Sequence, residues 1–143
     1  MAIIAGGVIV FLAISAWLAR FLSTENAERN AVVGLLQSQA AGNAEGMLDR
    51  LRDCRTQSAC VALVRRNAAS ERSTGSLQIL ALSSPTAYSL ASASGETRVA
   101  WRAGAHGPVV QCVLVHRRGN ALTGLTVELM RISAPIGNEA DCP

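Results

Sequence analysis

Residues 97–132, TRVAWRAGAHGPVVQCVLVHRRGNALTGLTVELMRI, decide the fold class. Thr97, Val99 and Trp101 alternate with Arg98, Ala100 and Arg102, the period of two that a strand with one buried face requires. Gly104 to Pro108 makes a turn, Val109 to His116 is a mostly apolar run, and Arg117-Arg118-Gly119-Asn120 predicts a hairpin turn. Leu125, Val127 and Leu129 then alternate with Thr126, Glu128 and Met130, up to Pro135. Upstream, Leu77, Ile79 and Ala81 alternate with Gln78, Leu80 and Leu82 as far as Ser83-Ser84-Pro85. Thr86 to Ala93 reads as a weaker strand, ended by Ser94-Gly95. Turns this short join neighbouring strands, so the pattern predicts four or five strands in a largely antiparallel sheet.

Before this region the period is helical. Ala27, Ala31, Val32, Leu35, Leu36 and Ala40 recur at helix spacing, with Glu28, Arg29, Asn30 and Gln37 assigned to the opposite, polar face. Thr24-Glu25-Asn26 reads as a capped restart or a bend. Gly42-Asn43 ends this helix, and Asn43 can cap the next. Met47, Leu48, Leu51 and Cys54 form a second stripe, and Cys60, Leu63, Val64 and Asn67 a third; residues 67–76 are a polar connector. Helices first and strands after predict an α+β fold, with two to three helices packed on one face of the sheet and Trp101 in the core. Only Tyr88 and Trp101 supply aromatic rings after Phe21, so the core is mostly Leu, Val, Ile and Ala. Small aliphatic side chains each bury little area, and such a domain gains from covalent bracing.

The N-terminal segment is of another kind. Ala2 to Ala19 is eighteen residues without a charge, about 27 Å of helix, and extension to Leu22 gives about 31 Å, enough to span a bilayer. Arg20 falls where it can snorkel to the headgroups, and Trp17 and Phe21 suit an interfacial belt. The sequence therefore divides into an anchor over residues 1–23, contacting lipid through 2–22, and a domain over 24–143. A cleaved signal peptide is the alternative, with small residues around Ala13 to Ala16 for a peptidase. Arg20 and Arg29 after the run favour a cytoplasmic domain by the positive-inside rule. The cysteines favour the extracytoplasmic side, and they carry more weight.

Cys54, Cys60, Cys112 and Cys142 all lie in the domain. An even count in a small exported domain points to disulfides, with three possible connectivities. The favoured one is Cys54–Cys60 with Cys112–Cys142. Six residues of continuous helix would separate the first pair by about 9 Å, too far to bridge, so the helix has to break across Arg55 to Ala59, with Thr56 or Ser58 as a new cap. Free buried thiols remain open. A zinc site is disfavoured, since neither the 54–60 spacing nor the isolated His106 and His116 match zinc-ligand patterns. No metal or cofactor is expected.

Leu35-Leu36-Gln37-Ser38-Gln39-Ala40-Ala41-Gly42-Asn43 resembles the way first helices end, in Ala-x-Gly-Asp/Asn, in the nuclear transport factor 2-like superfamily, the cystatin-like roll. The resemblance covers about residues 25–133. It implies helices packed in a curved antiparallel sheet and, since the predicted inward positions are apolar, binding rather than catalysis. Membrane-anchored members are often scaffold or assembly components, among them the inner-membrane assembly factor of type IV secretion systems. A second likeness is to type IV pilins, where an apolar N-terminal helix runs into an α+β domain that often ends in a disulfide-closed loop. Cys112 and Cys142 suit that loop, but the basic leader with its processing glycine and the glutamate near the helix start are missing.

No P-loop, dinucleotide glycine pattern, nucleophile elbow or H-E-x-x-H occurs. His116 reads as a strand residue at the core edge. All thirteen basic residues are arginine, scattered along the chain as GC-rich codon usage would leave them. The denser stretch of Arg50, Arg52, Arg55, Arg65, Arg66 and Arg72, against Asp53 and Glu71, reads as a solvated helix face that could also meet anionic headgroups or an acidic partner. Nucleic acid is not expected, because stacking aromatics are missing. The sequence thus favours a bacterial, single-pass, signal-anchored extracytoplasmic module that binds or scaffolds a protein partner in the envelope and is not an enzyme. A pilin-like subunit is the first alternative, and a small-ligand or hydrolytic enzyme of the same roll the second.

Overall fold

The computed structural model describes residues 2–84, 93–120, 124–137 and Cys142. In chain order these form α1 (Ala2–Ala40), α2 (Ala44–Leu48), a 3-10 turn (Cys54–Thr56), α3 (Ser58–Ser70), β1 (Leu77–Ser83), β2 (Ala93–Ala103), β3 (Val109–Asn120) and β4 (Gly124–Ile132). The α+β class stands as the sequence predicts, with the four strands antiparallel in the order β1-β2-β3-β4. The weaker strand expected over Thr86–Ala93 falls on residues 85–92, outside the described residues, except that Ala93 opens β2.

α1 is one helix of 39 residues, so the capped restart offered for Thr24-Glu25-Asn26 does not occur. Those residues are all tolerated inside a helix, and a capping sequence does not end one whose flanks continue it. Its C-terminal half buries Val32, Leu35, Leu36 and Ala40 against the sheet. The end is formed as predicted. Gly42 takes φ +72°, its N–H donates to Gln39 O at 2.8 Å, and Asn43 N–H donates to Ser38 O at 2.8 Å, the paired bonds of a Schellman ending. Asn43 Oδ1 then accepts from Gly46 N–H at 2.8 Å and caps α2.

α2 is much shorter than the stripe from Met47 to Cys54 implies. The chain leaves it to reach the sheet: Leu51 bridges Leu129, and Arg52 N–H donates to Leu129 O at 2.8 Å. This covers part of β4's outer edge, whose backbone groups would otherwise lack partners. The predicted helix break before α3 is present and closes the Cys54–Cys60 disulfide across a Cα separation of 5.4 Å. Neither expected cap is used. Gln57 precedes α3 without a side-chain bond, and Thr56 Oγ1 instead donates to Asp53 O at 2.7 Å. Cys112–Cys142 is the second disulfide, at a Cα separation of 5.7 Å, and no described cysteine is free.

The helices cover one face of the sheet. Thr97, Val99, Trp101 and Ala103 of β2 are buried there, and Trp101, only 1% exposed, settles which side of that strand faces in. Two details differ from the sequence expectation. β1 carries a bulge between Ile79 and Ala81, so Leu82 packs on the core while Leu80 is half exposed and Ala81 turns outward. β3 does not turn at Arg117–Asn120: those residues stay paired with β4, Asn120 opposite Gly124. Inward parity explains this, because Arg117 continues the row of Val113 and Val115 and finds a buried partner.

Among the described residues, no helix is long and apolar enough to cross a membrane. The span expected over Ala2–Leu22 is therefore not supported by the structure.

Candidate functional site

α1 divides the molecule's surface chemistry in two. From Val8 to Leu18 the helix bares Val8, Ile9, Val10, Phe11, Leu12, Ile14 and Leu18 at 47–68% exposure. From Glu28 onward one face of the same helix lies in the core. A soluble monomer rarely shows so large a contiguous apolar surface, and such a surface marks an interaction site.

Where α1 enters the domain, Glu28 is 1% exposed, a correction to its expected place on the polar face. It falls four residues before Val32 and seven before Leu35, on the packed stripe. Thr97 Oγ1 donates to its Oε1 at 2.6 Å, and Arg117 Nε donates to its Oε2 at 2.8 Å, with a second close contact from Nη2. Burial works against the charge of Glu28 and is the largest single effect. The bonds from Thr97, Arg117 and Ser84, with the charge of Arg117, together outweigh it and hold the carboxyl below its ordinary range. Arg117 is itself largely buried, so this is a desolvated ion pair joining α1 to β3.

A second buried polar group lies at the far end of α1. Gln39 Nε2 and Trp101 Nε1 both donate to Gln111 Oε1, at 3.1 and 3.0 Å. Gln111 Nε2 and Asn67 Nδ2 donate to Ser133 O at 3.1 and 2.9 Å. Helices α1 and α3, strands β2 and β3 and the segment after β4 thus meet at one hydrogen-bonded cluster, which fixes their register.

The arginine stretch does not form one patch. Arg52 pairs with Glu128, Arg55 with Glu45 and Asp49 at 2.8 and 2.5 Å, and Arg65 approaches Glu45 at 3.9 Å. Arg50 donates to Gly46 O at 3.0 Å. An open groove of about 490 Å³ runs between α1 and β4, lined by Ala31, Gly34, Arg50, Arg52, Val127 and Leu129 among others. On the sheet's outer face Ser94 Oγ and His116 Nδ1 are 2.6 Å apart. A nucleophilic pair needs a third group to orient the imidazole and donors for an oxyanion. Glu128, opposite His116 in register, is instead engaged by Arg52 and faced by Arg118 at 3.7 Å. Among the described residues, no three His, Cys, Asp or Glu side chains are grouped to hold a metal.

The four cysteines are brought together in the two expected pairs, far from any of these polar groups in role: each ties a loop or tail to an element. Sequence reasoning missed the Glu28–Arg117 pair and the Gln39–Gln111 pair, although all four residues sit at core spacing. Comparison with family models, with curated proteins and with solved structures finds no match.

Proposed function

We propose that this chain is a single-pass, membrane-anchored module of the cell envelope whose domain binds or scaffolds a protein partner on the extracytoplasmic side. One observation carries the reading. A single helix exposes an apolar N-terminal half and buries its C-terminal half in a domain, so the bare half requires a cover. The uncharged run Ala2–Ala19 makes lipid the natural one. Two disulfides support an oxidising compartment for the domain. The roll-fold likeness is part of the proposal, resting on the Ala-x-Gly-Asn ending of α1. On this reading the full-length protein stays with membranes through an alkaline carbonate wash and co-purifies with a stable partner from solubilised envelopes. Release by carbonate, or a mature N-terminus beginning after Ala16, refutes the anchor.

The pilin-like alternative draws on a different feature. α1 passes through residues 24–26 without a break, so the exposed half and the domain's spine belong to one helix, about 58 Å along its axis. In that case neighbouring copies, not lipid alone, cover the apolar half, and filaments appear in sheared surface fractions.

A further inference from the structure

The buried contacts between α1 and β3 fix how the domain stands on its helix. Glu28 is tied to Arg117, and Gln39 to Gln111. The eleven residues from Glu28 to Gln39 rise about 16 Å along the helix, and the six from Gln111 to Arg117 extend about 20 Å along the strand. Two segments of similar length tied at both ends run side by side. Since the early residue of α1 meets the late residue of β3, they run in opposite directions.

β3 therefore heads back toward the N-terminal half of α1, and it does not stop at Arg117. It continues to Asn120, where β4 departs from Gly124. Three further residues carry the strand about 10 Å, equal to six or seven residues of helix. That brings Asn120 level with about Leu22, where the apolar run ends. The opposite end of the sheet, the turn from Gly104 to Pro108, lies about 36 Å away along the eleven residues between Val109 and Asn120. Arg118 stands beside the near end with its side chain 58% exposed; its Nε lies 3.7 Å from Glu128 Oε2, a carboxylate it shares with Arg52, so the three side chains keep one net positive charge. Arg29 is exposed on α1. Arg117 at the same level is already neutralised by Glu28.

We infer that the edge of the domain carrying Arg118, where β3 and β4 are paired beside α1, is a second membrane contact, resting on anionic phospholipid headgroups through Arg118, so that the domain sits against the bilayer instead of swinging on its helix. The inference depends on the anchored reading of α1. It does not depend on which protein the domain binds.

The test uses the full-length protein reconstituted in vesicles, with a nitroxide attached at Asn120→Cys or, as a control, at Gly107→Cys, where an added Cβ meets nothing within 4 Å. Nickel is chelated to a fraction of the lipid headgroups. In phosphatidylcholine vesicles containing phosphatidylglycerol, the Asn120 label is relaxed by the headgroup nickel and the Gly107 label is not. Arg118→Gln, or omission of phosphatidylglycerol, weakens the Asn120 effect, by roughly fivefold in occupancy per arginine lost near an anionic surface. Equal behaviour of the two labels overturns the inference. So does an Asn120 effect indifferent to both Arg118 and phosphatidylglycerol, or spin–spin broadening between Asn120 labels, which would put a second copy there. Failure of the protein to float with the vesicles after carbonate refutes the anchor itself, whereas floating with an unrelaxed Asn120 label refutes only the second contact.

Discussion

Replacing Glu28 tests the least expected part of the structure. Glu28→Ala removes the anionic partner that an Arg117 side chain 12% exposed has among the described residues, and it takes an acceptor from the buried Thr97 hydroxyl. Breaking a buried pair from one side leaves an uncompensated charge and costs about 3–5 kcal/mol. Glu28→Gln keeps an acceptor for Thr97 and Arg117 but loses the charge, for about 1.5–3 kcal/mol. Removing both partners with apolar residues of similar size, Glu28→Leu with Arg117→Met, returns stability to within about 1 kcal/mol of the parent, because both desolvation costs vanish together. Urea titration of the full chain in mild detergent, followed by ellipticity at 222 nm, measures all three. The pH dependence carries a definite sign. The folded carboxyl titrates below its ordinary value of 4.5, so the unfolded chain takes up its proton first as pH falls. The contribution of Glu28 is thus fully present above about 4.5 and is lost as pH drops through the lower folded value. Glu28→Gln flattens that part of the acid-unfolding curve. A cost under about 1 kcal/mol for Glu28→Ala, with an unchanged acid limb, would show the pair exposed and the placement of α1 on β3 wrong.

Two further outcomes follow from the sheet and the bridges. The bulge in β1 makes Leu80 and Leu82 unequal: Leu82→Ala costs about 1–3 kcal/mol in the same titration and Leu80→Ala under about 0.5 kcal/mol, with equal costs placing both side chains on one face. Peptide mapping after alkylation without reduction finds no free thiols and only the pairs 54–60 and 112–142. By loop entropy these contribute roughly 2.4 and 3.7 kcal/mol, and four alkylated cysteines in freshly lysed native cells would remove both the bridges and the argument for an oxidising compartment.

The parts of the fold legible in the sequence were those set by short-range chemistry. Gly42 and Asn43 end one helix and start the next because a left-handed glycine and an Asn side chain satisfy the local backbone groups, whatever surrounds them. The face of β2 followed from simple alternation through Val99 and Trp101. The misjudged parts depend on partners distant in sequence. Leu51 looks like one more residue of a helical stripe until Leu129 offers its backbone. A bulge at Leu80 shifts every later side chain of β1 by one place, and nothing local announces it.

The polar core shows the same limit from another side. Glu28, Gln39, Gln111 and Arg117 occupy positions that apolar spacing assigns to the interior, yet polarity alone places Glu28 on a solvated face and Arg117 in a turn. Their burial is tolerable only in pairs: Glu28 with Arg117 across about 16 Å of helix from Gln39 with Gln111. Replacing a buried ion pair with well-packed hydrocarbon is often neutral or stabilising, yet each of these pairs accepts only one alignment. An apolar helix face could slide or rotate on the sheet with little change in buried area, but a shift of one turn would strand both charges and both amides. The two pairs therefore fix the direction of α1 against β3 more firmly than the leucines do. That direction decides which end of the domain stands beside the exposed apolar half of the helix.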